Sequence, residues 1–102
     1  MNFSKCVDLI IDCKGTVVIS GIGKSGNIGR KITSTLASLG TPSIFLHTSD
    51  AFHGDLGILR KDDLLILISN SGETEELVRL LNYANKNCIK SIVITGNLDS
   101  TM

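Results

Sequence analysis

The sequence predicts an α/β fold, a parallel sheet covered by helices on both faces. Two observations carry this expectation. Short runs rich in β-branched residues alternate with longer runs of helical period. The short runs, TVVIS, SIFL, LLILI and SIVIT, are close to continuously apolar, as strands buried on both faces are. Alternation of this kind favours parallel strands joined by right-handed crossovers.

In chain order, residues 2–13 carry Phe3, Cys6, Val7, Ile10 and Cys13 as a helical stripe, which Lys14-Gly15 stops. Residues 16–20 form the first strand by their β-branched content. Residues 25–39 place Ile28, Ile32, Leu36 and Leu39 on one helix face, and Gly40 supplies the C-terminal stop. The second strand, 43–46, is entered through Thr41-Pro42. Residues 47–59 are polar and non-periodic, and a loop with room for one helical turn is expected. The third strand is 64–68 and the fourth 91–95. Between them, 73–87 reads as a helix with Leu77, Leu80, Leu81 and Ala84 facing inward.

A chain of 102 residues suggests one small domain. Ten basic residues balance ten acidic ones, which argues against a general binder of nucleic acid or acidic membranes. Three Phe, one Tyr and no Trp leave little for base stacking. No apolar run approaches the roughly 20 residues that span a bilayer. The first residues, MNFSKCVDLIIDCKG, alternate polar and apolar too often for a secretory signal. Cys6, Cys13 and Cys88 contain no CxxC pair and fit reduced thiols in a cytoplasmic protein. Cys6 and Cys13 share a helix face with Ile10, so core filling is expected of them before metal binding.

In open parallel sheets, ligands bind beyond the carboxyl ends of the strands. Three such ends are chemically loaded: SGIGKSG, HTSDAFHGDLG and SNSGETEE. Gly21, Gly23 and Gly26 match G-x-G-x-x-G between a strand and a helix, a dinucleotide signature. A nicotinamide binder also wants an acidic residue about 20 positions on. The second strand instead ends in Leu46-His47, with Asp50 only after Thr48-Ser49. A Walker A loop fails because Val18 stands where its first glycine belongs. What survives is general: glycines let the backbone approach an anion, and amides at a helix start point at it. The plain structural alternative is a tight strand-to-helix turn with Ser25 as N-cap.

The third turn repeats the theme. Ser69, Ser71 and Thr74 offer hydroxyls, Gly72 permits close approach, and the next helix contributes free amides. Glu73, Glu75 and Glu76 suit a helix start on electrostatic grounds. That does not account for three polar residues directly after a buried strand, echoing Lys24-Ser25-Gly26. His53, in HGDLG, falls on the same rim, and a structural or solvated role stays open for it. His47 sits at the strand end and is expected to pack or cap.

Taken in order, GIGKSGNIGRKI, HGDLG, SNSGETEE and ITGN closely resemble the sugar isomerase (SIS) domain of bacterial arabinose-5-phosphate isomerases, from about Thr16 to Met102. The resemblance implies a flavodoxin-like three-layer sandwich, here with four parallel strands where the family has five. It implies interconversion of D-arabinose 5-phosphate and D-ribulose 5-phosphate for Kdo synthesis, without an organic cofactor or metal. Ser69, Ser71 and Thr74, with Ser25 beside them, resemble the family's phosphate-binding hydroxyls. Lys24, His53 and Glu76 resemble residues lining its active site, Glu76 for acid/base work and Lys24 for steadying charge on the sugar oxygens. The family carries a fifth strand and later helices, with a further active-site His and acidic residue, and many members add CBS domains. Residues 1–102 are therefore expected to be a single partial SIS domain, weakly active or inactive alone and oligomeric. Two alternatives stand beside this: a non-catalytic sugar-phosphate sensor or scaffold, and, more weakly, a dinucleotide-binding module.

Overall fold

A computed structural model of the chain describes residues 3–47, 59–69 and 75–95. Its elements are α1 (Phe3–Ile11), β1 (Val17–Gly21), α2 (Lys24–Ser38), β2 (Ser43–Phe45), β3 (Leu64–Ser69), α3 (Glu75–Lys86) and β4 (Lys90–Thr95). The four strands form one parallel sheet in the order β2-β1-β3-β4. The segment 47–59, expected to be a loop, lies outside the described residues apart from His47 and Leu59.

Successive strand side chains point to opposite faces, so each strand feeds two cores. Val18, Leu65 and Leu67 meet Leu77, Leu80, Ala84 and Ile89 on the α3 side. Val17, Ile19, Leu64, Ile66, Ile68 and Ile92 form the other core, against which Leu9 and Ile10 of α1, Cys13 just after it, and Ile32 and Leu36 of α2 pack. Every residue of β1 and β3 is buried, as their apolar runs predict. The result is the expected three-layer sandwich. β2 and β4 lie at the sheet edges and are only partly covered: Ile44 is 40% and Ile94 48% exposed.

The inner face of α2 differs from expectation. Ile32 and Leu36 pack on the core, but Ile28 and Leu39 are 55% and 76% exposed. The helix instead turns Gly26 and Gly29 to the sheet. A Cβ on Gly29 would stand 3.0 Å from Phe45 Cε1 and 3.1 Å from Ile19 Cγ2, so glycine sets the distance of closest approach.

Helices α2 and α3 end in the same way. Thr41 N–H donates to Leu36 O (2.9 Å) and Gly40 N–H to Ala37 O (3.1 Å), with Gly40 at φ 90°. Ile89 N–H donates to Ala84 O (2.9 Å) and Cys88 N–H to Asn85 O (3.4 Å), with Cys88 at φ 59°. Both are Schellman motifs. Gly40 is the stop the sequence predicts; at Cys88 a side-chain-bearing residue holds the left-handed position.

At the amino ends of the strands, Asp63 is 8% exposed, and its two carboxylate oxygens accept from Thr16 N–H (2.8 Å) and Arg60 N–H (3.0 Å). This ties the entry of β1 to the entry of β3. Thr16 thereby lies just outside β1, which runs one residue further along the chain than expected and takes in Gly21 opposite Ile68. Cys13 is half-buried against the core, as expected, whereas Cys88 is exposed.

Candidate functional site

The chain leaves β1 towards β2 on one side of the sheet and resumes with β3 on the other. The carboxyl ends of β1 and β3 therefore flank a topological switch point, where open parallel sheets form their ligand crevice. Gly21 is paired with Ile68, so the turn after β1 and the turn after β3 start side by side. Lys24 and Ser25 leave from one, and Ser69 and Glu76 flank the other. These four predicted site residues come to one rim. Ser71, Thr74 and His53 lie outside the described residues.

The turn after β1 is built to be bare. A Cβ on Gly21 would stand 2.9 Å from Ser25 O, and one on Gly26 would stand 2.9 Å from Gly21 O. Strand end and helix start are in backbone contact with no space for side chains. Gly23 takes φ 63° and ψ −129° and is the N-cap of α2, with no side-chain capping bond. The expected cap at Ser25 is thus corrected: Ser25 is the second helical residue and half-buried. The reason is the turn itself, which needs its reversal one residue after Ile22, and only glycine takes that backbone conformation without strain. The first amides of α2 have no acceptor within the helix.

Lys24 is the first residue of α2 and is exposed. Ser69 ends β3, is 2% exposed and stands opposite Thr95. Glu75 and Glu76 open α3 and are exposed, which places two carboxylates at the positive end of its dipole.

Sequence reasoning missed Arg30. Its guanidinium Cζ lies 5.0 Å above the Phe45 ring, and Nη2 is 3.2 Å from His47 Nε2. His47 meets Phe45 edge-on at 5.1 Å and 81°. His47 thus packs at the strand end, as expected of it. The two residues are 17 apart in the chain, and nothing local announces their meeting. Ser20, fully buried, donates from Oγ to Leu46 O at 2.7 Å and fixes the exit of β2 just before His47.

A cleft of about 260 Å³ opens at the opposite rim, among Lys14, Lys61 and Lys90 and Asp12, Asp62 and Asp63. Its charges match in number, and it lies at the far ends of the strands from the paired turns.

A parallel sheet in the order β2-β1-β3-β4, with a glycine turn leaving β1 and an acidic helix following β3 on either side of its switch point, is that of an α/β domain of the flavodoxin-like kind. The model of the SIS domain family matches residues 9–102, and the chain belongs to that family. It is 52% identical over 105 residues to an arabinose 5-phosphate isomerase, KpsF, of Escherichia coli O6:H1, covering 99% of this chain and 31% of that protein. It is 48% identical over 101 residues to the arabinose 5-phosphate isomerase KdsD of Pseudomonas aeruginosa, again covering 99% and 31%. Among solved structures, an Escherichia coli CFT073 protein in complex with arabinose 5-phosphate superposes with TM-score 0.91 at 46% identity, over 97% of this chain and 53% of that one. The chain thus spans about a third of the length of the curated relatives it matches.

Proposed function

We propose that this chain forms the sugar-phosphate-binding part of an aldose–ketose isomerase that interconverts D-arabinose 5-phosphate and D-ribulose 5-phosphate and so supplies Kdo synthesis. The observation that carries the proposal is the pairing of Gly21 with Ile68, which sets side by side the strand ends that lead into the two turns. One brings bare backbone and helix-start amides. The other, SNSGETEE, brings hydroxyls and glutamates.

The reaction sets two demands. A dianionic phosphate must be anchored, and a proton must move between neighbouring carbons. Hydroxyls and amides at helix starts meet the first. Ser69, Ser71 and Thr74 are assigned to the phosphate, with Ser25 beside them. For the second, a base takes the proton from C2 of the aldose while the C1 carbonyl oxygen gains one, which gives an enediol. The O2 hydroxyl then loses its proton as C1 gains one, and the ketose results. No electrons are exchanged with a second molecule. Glu76 is assigned to this transfer, together with His53. Lys24 is assigned to steadying negative charge on the enediolate oxygen. The sites are proposed to work in a cytoplasmic homo-oligomer.

Calorimetric titration tests the binding half. Ribulose 5-phosphate and arabinose 5-phosphate are expected to bind, and arabinose without its phosphate is not. Equal affinity for arabinose and its 5-phosphate overturns the assignment of the turn. A titration with NADH that shows tight binding restores the dinucleotide alternative.

A further inference from the structure

We propose that Arg30 selects the tautomer of the neutral His47 ring that carries its proton on Nδ1, and that this fixed N–H donates to an oxygen of the sugar phosphate bound beside Gly21. The first half stands on geometry alone. The second rests on the sugar-phosphate function proposed above.

A guanidinium has five N–H donors and no acceptor. The 3.2 Å contact between Arg30 Nη2 and His47 Nε2 is therefore a hydrogen bond only if Nε2 brings its lone pair. The ring proton must then sit on Nδ1. A doubly protonated ring has no lone pair to offer, and the contact would set one cation against another.

Arg30 is not free to turn away at no cost. Its guanidinium lies over the face of Phe45, where the ring quadrupole attracts it. Phe45 is itself wedged beside Gly29. The same ring takes the edge of His47, so one aromatic residue orients both partners. The backbone before His47 is held twice, by Leu46 N–H donating to Ile19 O at 2.8 Å and by Ser20 Oγ donating to Leu46 O.

The position matters for ligand contact. The β1–β2 register pairs Ile19 with Phe45. β2 ends at Phe45 and His47 follows two residues later, so it stands at the carboxyl end of β2, on the same rim as Gly21, where β1 leaves the sheet. Gly21 and Gly26 put no side chain over that turn, and His47 is exposed. An oriented neutral donor beside bare backbone suits a hydroxyl or phosphate oxygen of the ligand.

The tautomer is read directly by long-range proton–nitrogen correlation spectra of the full 102-residue chain, recorded well above the unperturbed imidazole pKa of about 6.5. His47 and His53 are the two histidines, and the His47→Asn variant assigns the signals. Expected is Nδ1–H for His47, against the Nε2–H form that free imidazole side chains favour. In Arg30→Met the population should return to Nε2–H. A wild-type ring already in the Nε2–H form, or one unmoved by Arg30→Met, overturns the first half. For the second half, His47→Asn places an amide N–H near the Nδ1 position, and His47→Gln places one near Nε2. Titrated with ribulose 5-phosphate, the Asn variant should stay within about 2-fold of wild type, and the Gln variant should lose about 3–10-fold, the scale of one neutral hydrogen bond. Equal affinities for the two variants overturn the ligand contact. Failure of wild type to bind ribulose 5-phosphate overturns the functional assignment, and the spectra alone then decide the tautomer.

Discussion

A Cβ on Gly26 would stand 2.9 Å from the carbonyl oxygen of Gly21. Backbone sits on both sides of that contact, so no flexible side chain can yield. Gly26→Ala is expected to push the start of α2 off the end of β1 and to destabilise the fold by about 1–3 kcal/mol, the range for overpacking. Because the shift moves the turn amides, sugar-phosphate affinity should fall further than stability explains. Urea unfolding and calorimetry on the same variant check both, and an unchanged midpoint would show that the turn is looser than these contacts describe.

At the opposite rim, Asp63 accepts from Thr16 N–H and Arg60 N–H with separate oxygens. Asp63→Ala strands two backbone donors in a part-buried setting, and a loss of about 1–3 kcal/mol is expected. Asp63→Asn keeps one acceptor and should lose less. Both variants should retain ligand affinity, since the sheet's whole length separates Asp63 from the paired turns. A variant that unfolds normally but no longer binds would link the two rims in a way the topology does not.

Cys88 and Gly40 hold matching positions past the ends of α3 and α2, both with positive φ. A left-handed conformation costs a side-chain-bearing residue about 1–2 kcal/mol. Cys88 is exposed, so little packing is lost on removing its side chain. Cys88→Gly is therefore expected to stabilise the protein by about 1 kcal/mol, and Gly40→Ala to destabilise it by a similar amount. Thermal or urea unfolding decides, and a destabilised Cys88→Gly would contradict the strain assigned to that residue.

The sheet was legible because β1 and β3 are apolar without interruption, and burial on both faces is what such runs require. The inward face of α3 was legible for the same kind of reason, since Leu77, Leu80 and Ala84 keep a helical period. The inward face of α2 was not. A hydrophobic pattern points to Ile28 and Leu39, yet the helix approaches the sheet through Gly26 and Gly29, and a missing side chain leaves no mark in such a pattern. The rim turns stood out in the sequence through their composition. Arg30 beside His47, and Asp63 beneath Thr16, could not stand out: each contact depends on which strand ends share a rim, and the sheet order decides that.

The last prediction concerns the glutamates beside an anion site. If hydroxyls hold the phosphate and Glu76 serves proton transfer, substitution of the hydroxyls should weaken binding and substitution of Glu76 should not. Ser71→Ala or Thr74→Ala should weaken ribulose 5-phosphate binding by about 1–3 kcal/mol, the scale of a hydrogen bond to a charged group. Glu76→Gln removes a negative charge from the same rim. Two unit charges a nanometre apart in water interact by roughly 0.4 kcal/mol, and the phosphate carries close to two. Glu76 is exposed, so salt and solvent screen the term, and its removal should leave affinity unchanged or raise it by about 2-fold at low ionic strength. Calorimetry at two salt concentrations separates the cases. A Glu76→Gln variant that binds markedly more weakly than wild type would make Glu76 a direct holder of the sugar, and its assignment to proton transfer would lose its main support.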